Sequence, residues 1–231
     1  MKILYILIFA LISATIHAQT SKTITIKPGE QWTNEDVVRE FYLLPTFTFG
    51  KMYSKDGDSS GGKMNYNLVL EEMQFINEKN DTLSIADPKL VRLLVLDGKR
   101  FYYDGVYLQE IENFSTGKLA KRELIKIADR KKIGAMGIAN STGSIESRDV
   151  VRDGNIYKLG VNEELVLSRH TQYYFGDRNN RFLPANKKNL IKLFPKQKKE
   201  IENFLEQHET DFQVEEHLKN LAGFLKAAAQ D

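Results

Sequence analysis

The chain has 231 residues, 42% apolar and 28% charged, with a formal net charge of +2 and no cysteine. That length fits one sizeable domain, or a domain with an appendage, held by an ordinary core and not by disulfides. The near-neutral balance leaves no global field that would favour nucleic acid.

Lys2, the apolar run Ile3 to Ile12 and the small residues Ser13, Ala14, Thr15 and Ala18 have the layout of a cleavable secretory signal. An apolar stretch of about ten residues is half of what spans a bilayer, so cleavage near Ala18-Gln19 is expected and not retention as an anchor. With no thiol to acylate, a lipidated N-terminus is excluded. No later stretch is long and apolar enough to cross a membrane as a helix.

Thr23-Ile-Thr-Ile26, before Pro28-Gly29, reads as a short opening strand. Residues 32–44 fit either a helix capped by Thr33 or a strand ending before Pro45. Phe47 to Tyr53 alternates towards Asp56-Gly57, and Lys63 to Leu70 returns from that turn. Glu72 to Ile76 and Thr82 to Ile85 flank a loop over residues 77–81. Leu90 to Leu96, Lys99 to Tyr103 and Val106 to Ile111 are separated by Asp97-Gly98 and Asp104-Gly105. Both members of an Asp-Gly pair tolerate positive φ, so this stretch predicts a three-stranded meander with two-residue turns.

Residues 119–128 suit a strand or a helix, and Gly134 to Ser144 has the composition of a mobile loop. Strands resume near Val150, at Ile156 to Leu159 and at Leu165 to Phe175, with Phe182-Leu183 closing the β-rich part. Asp153-Gly154 is a further turn signal. From Asn186 the apolar period lengthens: Leu190, Ile191 and Phe194, then Ile201, Phe204 and Leu205, then Leu218, Leu221, Ala222 and Leu225. Thr210 and Gln213 have the spacing of a capping box before the last helix. The expected fold is α+β: an antiparallel, hairpin-rich sheet, open or curled towards a barrel, followed by a small helical tail. Residues 1–18 are assigned to the signal, 19–185 to the β-rich domain and 186–231 to a tail packed on the sheet.

Lys55-Asp-Gly57, Met64-Asn-Tyr-Asn-Leu68 and Met73-Gln-Phe-Ile76 resemble a family of exported proteins common in Bacteroidetes-type bacteria. Phe194-Pro-Lys196, Lys198-Lys-Glu-Ile201 and Asp211-Phe212 are similar to that family's closing helices. The resemblance covers most of the mature chain and implies a Gram-negative envelope or extracellular setting. The family has no established activity, so the resemblance carries over no functional residues.

No cofactor or metal set stands out. Asp56-Gly-Asp58-Ser-Ser60-Gly61 has alternate acidic residues like a calcium loop, but Asn67 stands where a bidentate Glu is needed, so a hairpin tip is the better reading. Gly134-Ala-Met-Gly137 lacks the Gly-Lys-Ser/Thr end of a phosphate loop. His170, His208 and His217 are too widely spaced for a zinc helix motif or a visible triad. Asp81-Thr82-Leu83 resembles the short O-glycosylation signal of exported Bacteroidetes proteins.

Two features point towards binding. Tyr102, Tyr103, Tyr107, His170 and Tyr173 are aromatic side chains on strands, of which at least half should face the core. Lys196, Lys198 and Lys199 head a basic helical stretch, and a second basic stretch runs from Lys118 to Lys132. These residues are the candidate contacts of an exported, non-enzymatic binding or scaffold protein of the envelope. Its partner would be another envelope protein or a surface glycan, and not nucleic acid. The rival reading is an envelope hydrolase using two carboxylates, with Glu71, Glu72, Asp97 and Asp104 as candidates.

Overall fold

The computed structural model describes residues 23–27, 29–30, 33–133, 139–141, 151–152, 155–156 and 163–228. The expected signal, the Asp153-Gly154 turn, Leu159 and most of the 134–144 loop lie outside them. The strands are β1 (Thr23–Ile26), β2 (Thr48–Ser54), β3 (Ser59–Asn67), β4 (Glu72–Ile76), β5 (Thr82–Ser84), β6 (Val91–Leu96) and β7 (Lys99–Tyr103). They continue with β8 (Tyr107–Phe114), β9 (Gly117–Ile133), β10 (Ala139–Ser141), β11 (Val151–Arg152), β12 (Asn155–Ile156), β13 (Glu163–Asp177) and β14 (Phe182–Pro184). The helices are α1 (Asn34–Phe41), α2 (Lys187–Leu193), α3 (Lys198–Gln207) and α4 (Glu215–Ala227).

Twelve strands form one antiparallel sheet, in the order β1-β13-β9-β8-β7-β6-β2-β3-β4-β5, with β10 on β9 and β14 on β13. The sheet is open, and the short strands β1 and β5 end the path. Strands β11 and β12 form a separate pair. The fold is thus α+β, an antiparallel sheet followed by short C-terminal helices.

Local chemistry explains most elements. Thr33 accepts the Asp36 N–H while the Asp36 carboxylate accepts the Thr33 N–H, a capping box that decides the ambiguous stretch for helix over Asn34–Phe41. Val37 and Phe41, four apart, then enter the core together. Asp97 and Gly98 both take positive φ (51° and 71°), as a two-residue hairpin turn requires. The second expected two-residue turn is corrected: Tyr103 pairs with Tyr107 across three residues, and only Gly105 takes positive φ. A three-residue loop needs one left-handed residue and not two. It leaves Asp104 to accept the Phe182 N–H at 2.8 Å.

One open alternative is decided and two further expectations change. Residues 119–128 are strand, the middle of β9. Ala139–Ser141, read as loop, pairs with β9 as β10. The Thr210–Gln213 capping box does not form. Asp211 accepts the Gln213 N–H instead, and α4 begins at Glu215 without a side-chain cap. The Asp carboxylate, whose oxygens stand one bond further from the backbone than the Thr hydroxyl, closes a two-residue Asx turn that the three-residue Thr cap cannot match outside a helix.

Two large apolar clusters share one face of β9 and β13. One gathers Ile24, Ile26, Phe41, Tyr66, Leu68, Met73, Leu94, Leu96, Ile125 and Leu167 inside the curl of the sheet. The other packs Leu190, Ile201, Phe204, Leu218 and Leu221 of the helices on Phe114, Leu119, Tyr173 and Phe175. Side chains on one face of a strand alternate, so Leu119, Lys121, Glu123 and Ile125 lie in a row. Lys121 and Glu123 therefore form a polar belt between the two cores.

The belt carries a network. Lys121 lies 3.4 Å from Glu123 and 3.7 Å from Glu215, and Arg169 lies 3.0 Å from Glu123. Glu215 also accepts Lys219 at 2.8 Å. Partial burial works to raise the Glu215 pKa, but Lys219, Lys121 and the Tyr173 hydroxyl together hold it below the usual 4.5. A lowered carboxylate pKa adds stability above the unfolded value that is lost as pH falls through the folded one. Glu215→Gln should therefore destabilise the native protein at pH 7 by about 0.5–1 kcal/mol, discounted for its partial exposure, with the difference vanishing at an acid pH that protonates Glu215. Urea denaturation at both pH values checks this.

Gly117 and Gly176 stand on paired ends of β9 and β13, where neither has room for a side chain. A Cβ on Gly117 would press into the Gly176 carbonyl oxygen and the Phe194 ring, and one on Gly176 into the Phe182 ring. The main-chain oxygen cannot yield as a side-chain end can. Gly117→Ala should lower stability by about 2 kcal/mol, read as a fall in the urea midpoint.

A candidate ligand cleft at the curl of the sheet

Strand β8 accompanies β9 only from the Phe114↔Gly117 pair to Gln109↔Lys121. Beyond that point the free edge of β9 meets the turn between β3 and β4, and the Ile125 N–H donates to the Leu68 carbonyl at 2.8 Å. The sheet thus curls until its β3–β4 corner touches its own middle, without closing into a barrel.

The β3–β4 corner is built from the Met64-Asn-Tyr-Asn-Leu68 motif. All five residues are buried, and Asn65, Asn67 and Leu68 are wholly so. Asn65 accepts the Leu44 and Tyr66 N–H groups and donates to the Leu44 and Thr46 carbonyls. Asn67 accepts the Val69 and Leu70 N–H groups, which folds the turn and leads into Glu71 at φ 60°. The motif is therefore structural, and its product is the position of Glu71 and Glu72.

Both carboxylates line a cleft of about 270 Å³, together with Ser84, Tyr103, Tyr107 and Arg122. Arg122 stands where β8 hands the edge of β9 to the corner. Its Nε donates to Glu71 at 2.7 Å and its Nη1 to Gln172 at 3.0 Å. Glu72 is fixed by a buried relay: Tyr42 and Asn67 donate to Gln74 Oε1, Gln74 Nε2 donates to Ser84, and Ser84 donates to Glu72. A charged pair and a lone carboxylate thus meet an aromatic wall at a rigid junction.

The aromatic wall has an unusual feature. Tyr103 stacks edge-on to Tyr107 at 5.0 Å, and Tyr107 edge-on to Tyr66 at 5.9 Å. The Tyr66 and Tyr107 hydroxyls are buried and have no hydrogen-bond partner among the described residues. Burial pushes both phenol pKa values up, with Glu71 adding to the effect at Tyr66 and Tyr103 and Glu72 at Tyr107. Both side chains stay neutral donors. Leaving a buried hydroxyl unbonded costs about 1–3 kcal/mol, which marks these groups as more than packing.

The sequence-derived candidates fall in different places. Tyr103 and Tyr107 come together in the cleft. Tyr102 is buried on the opposite face of the sheet beside Phe182 and donates to Glu110. Tyr173 lies in the core under α4, its phenol pushed up to about 12 by burial and by Glu215. His170 is exposed on β13 and contacts Ser168 at 2.7 Å. Lys196, Lys198 and Lys199 are exposed at the start of α3, where Lys198 faces Glu202 at 3.9 Å. None of these last six lines the cleft.

Of the four carboxylate candidates, Glu71 and Glu72 converge. Asp97 stands in a turn beside Lys99, and Asp104 is tied to the Phe182 N–H. The Asp56-Gly57 segment is a hairpin tip between β2 and β3, and no cluster of three metal-ligating side chains occurs among the described residues. Thr82 of the glycosylation-like triplet is exposed at the start of β5. Arg122 and Ser84 escaped the reading of the sequence, because each is an ordinary strand residue until the corner is folded against β9. No helix among the described residues is long and apolar enough to cross a membrane. No protein-family model, curated protein or solved structure matches the chain.

Proposed function

We propose that this chain is an exported, non-enzymatic binding protein of a Gram-negative envelope, and that its cleft takes a polyhydroxylated ligand of the surface-glycan type. The single observation that supports this reading most is the convergence of Glu71, Glu72 and Arg122 with the Tyr103–Tyr107 wall in one cleft. Carboxylates accept sugar hydroxyls, a guanidinium donates to ring and carboxyl oxygens, and tyrosine offers both an apolar face and a polar tip. A cleft of about 270 Å³ suits one or two sugar rings and not a long chain, being near the lower bound of small-molecule sites.

The carboxylate pair also supports a second reading, a carbohydrate-active hydrolase. Catalytic carboxylates stand about 5–10 Å apart across the scissile bond, one of them holding a proton. Glu71 and Glu72 are consecutive, and each already accepts a hydrogen bond, from Arg122 or from Ser84. That arrangement favours holding a ligand over cleaving it.

Tyr107→Phe separates a binding role from a packing role. Removing an unbonded buried hydroxyl should raise stability by about 1 kcal/mol. In saturation-transfer NMR against oligosaccharides released from the native envelope, the same change should weaken binding about tenfold. A variant that is more stable and binds equally well would refute the cleft as the site. Turnover of any oligosaccharide would replace the binding reading with the hydrolase.

A further inference from the structure

The charged groups that line the cleft do not balance. They are Glu71, Glu72 and Arg122, two carboxylates against one guanidinium. Arg122 is committed to Glu71, since its Nε and Nη2 both lie on the same Glu71 oxygen, and that pair is neutral as a unit. Glu72 has no such counter-charge. It accepts the Ser84 hydroxyl on Oε2 at 2.5 Å and forms no ion pair among the described residues.

The relay behind Glu72 has a direction. Tyr42 donates to Gln74, Gln74 to Ser84 and Ser84 to Glu72, so every donor points towards the carboxylate. The chain fixes one carboxylate oxygen and leaves Oε1 without a partner among the described residues. Across the cleft stand the half-buried Tyr103 and Tyr107, whose buried hydroxyl is itself unpartnered. Burial raises the phenol pKa of Tyr42 and of Tyr107, and Glu72 adds to the rise at both. Its charge therefore acts on the relay from one side and on the aromatic wall from the other. Ile85, Pro88 and Val106 complete an apolar rim.

A neutral ring seated here would strip water from Glu72 and return no counter-charge, which is costly in apolar surroundings. A protonated amine returns that charge directly. Its N–H groups match the open Glu72 oxygen and the Tyr107 phenol oxygen, and the faces of aromatic rings attract it further. Given the cleft as the glycan site proposed above, on which this rests, we propose that it selects an amino sugar, a ring carrying one primary ammonium group. The amine lies on Glu72 and the ring against Tyr103 and Tyr107.

The test titrates four probes into the full mature protein, at a slightly acid pH that keeps amines protonated, while amide NMR shifts are followed. Glucosamine, N-acetylglucosamine and glucose share a ring and differ in the ammonium group, and cyclohexylamine keeps a ring-borne ammonium without hydroxyls. Glucosamine should bind at least about tenfold more tightly than the two neutral sugars, with shifts centred on residues 71–73, 84 and 103–107. Glu72→Gln keeps the shape and the oxygen that Ser84 meets, and it should bring glucosamine to the level of glucose. Equal binding of the three sugars overturns the ammonium preference and leaves the glycan cleft standing. Binding of cyclohexylamine without any sugar overturns the glycan reading and leaves the cation preference standing. A preference for glucosamine that survives in Glu72→Gln, or shifts centred away from the cleft, overturns the proposal. Absence of binding by all four overturns both. The comparison of probes on the unaltered protein decides the matter even if the variant fails to fold.

Discussion

Replacing Asn65 with alanine should destabilise the protein by about 4 kcal/mol, because it strands several buried main-chain groups at once. The Asn65 amide serves both the N–H and the carbonyl of Leu44, together with the Thr46 carbonyl and the Tyr66 N–H. The side chain is wholly buried, so water reaches the vacated partners poorly. Each unmet group costs about 1–3 kcal/mol, relieved in part where Thr46 approaches the surface. Against a total stability of about 5–15 kcal/mol the loss is severe, and it should lower the urea midpoint by about 1.5 M. Asn65→Asp should fall between the two, since it keeps the acceptor oxygen and loses the donor. An alanine variant within 1 kcal/mol of the native protein would show that the motif does not hold the corner. Any surviving protein should also lose cleft binding, because Glu71 and Glu72 follow directly from the turn that this motif shapes.

Leu221→Ala should cost about 3 kcal/mol, and the loss should be regional. Leu221 is wholly buried in the core formed by α2, α3 and α4 on Phe114, Leu119, Tyr173 and Phe175. The polar belt of Lys121, Glu123, Arg169 and Glu215 divides this core from the one inside the curl. Cavity creation on one side of a charged belt is transmitted poorly to the other side, because few apolar contacts cross it. Native-state hydrogen exchange should therefore show protection falling across the three helices and the adjoining ends of β8, β9 and β13. Amides of β2, β3 and β6 should keep theirs. The cleft should keep its ligand while the helices weaken. Uniform loss of protection would show instead that the two cores unfold as one.

These two variants probe different kinds of legibility. The alternation of β6, β7 and β8 and the positive φ at Asp97-Gly98 are local, and short-range sterics make them readable directly from residue order. The helical period from Leu190 to Leu225 is local in the same sense. Where two local solutions compete, the outcome turns on a few hydrogen bonds. Thr33 and Asp36 decide one stretch for helix. Strand β13 along the stretch, and β8 as far as Lys121, decide residues 119–128 for β9. The Thr210–Gln213 spacing misled because Asp211 closes a two-residue turn instead.

Residue order by itself determined the antiparallel hairpins, the helical tail and the class of the fold, because each follows from contacts between near neighbours. It also marked Tyr103, Tyr107, Glu71 and Glu72 as residues of interest, without a reason to join them. Tertiary structure alone decided that they meet. Arg122 reaches Glu71 across 51 positions of the chain, and does so only because β8 leaves the edge of β9 to the β3–β4 corner. Such convergence is set by the curl of the sheet and the pairing of its strands. These are sums of many weak contacts between distant segments, so no local period or spacing in the chain encodes them.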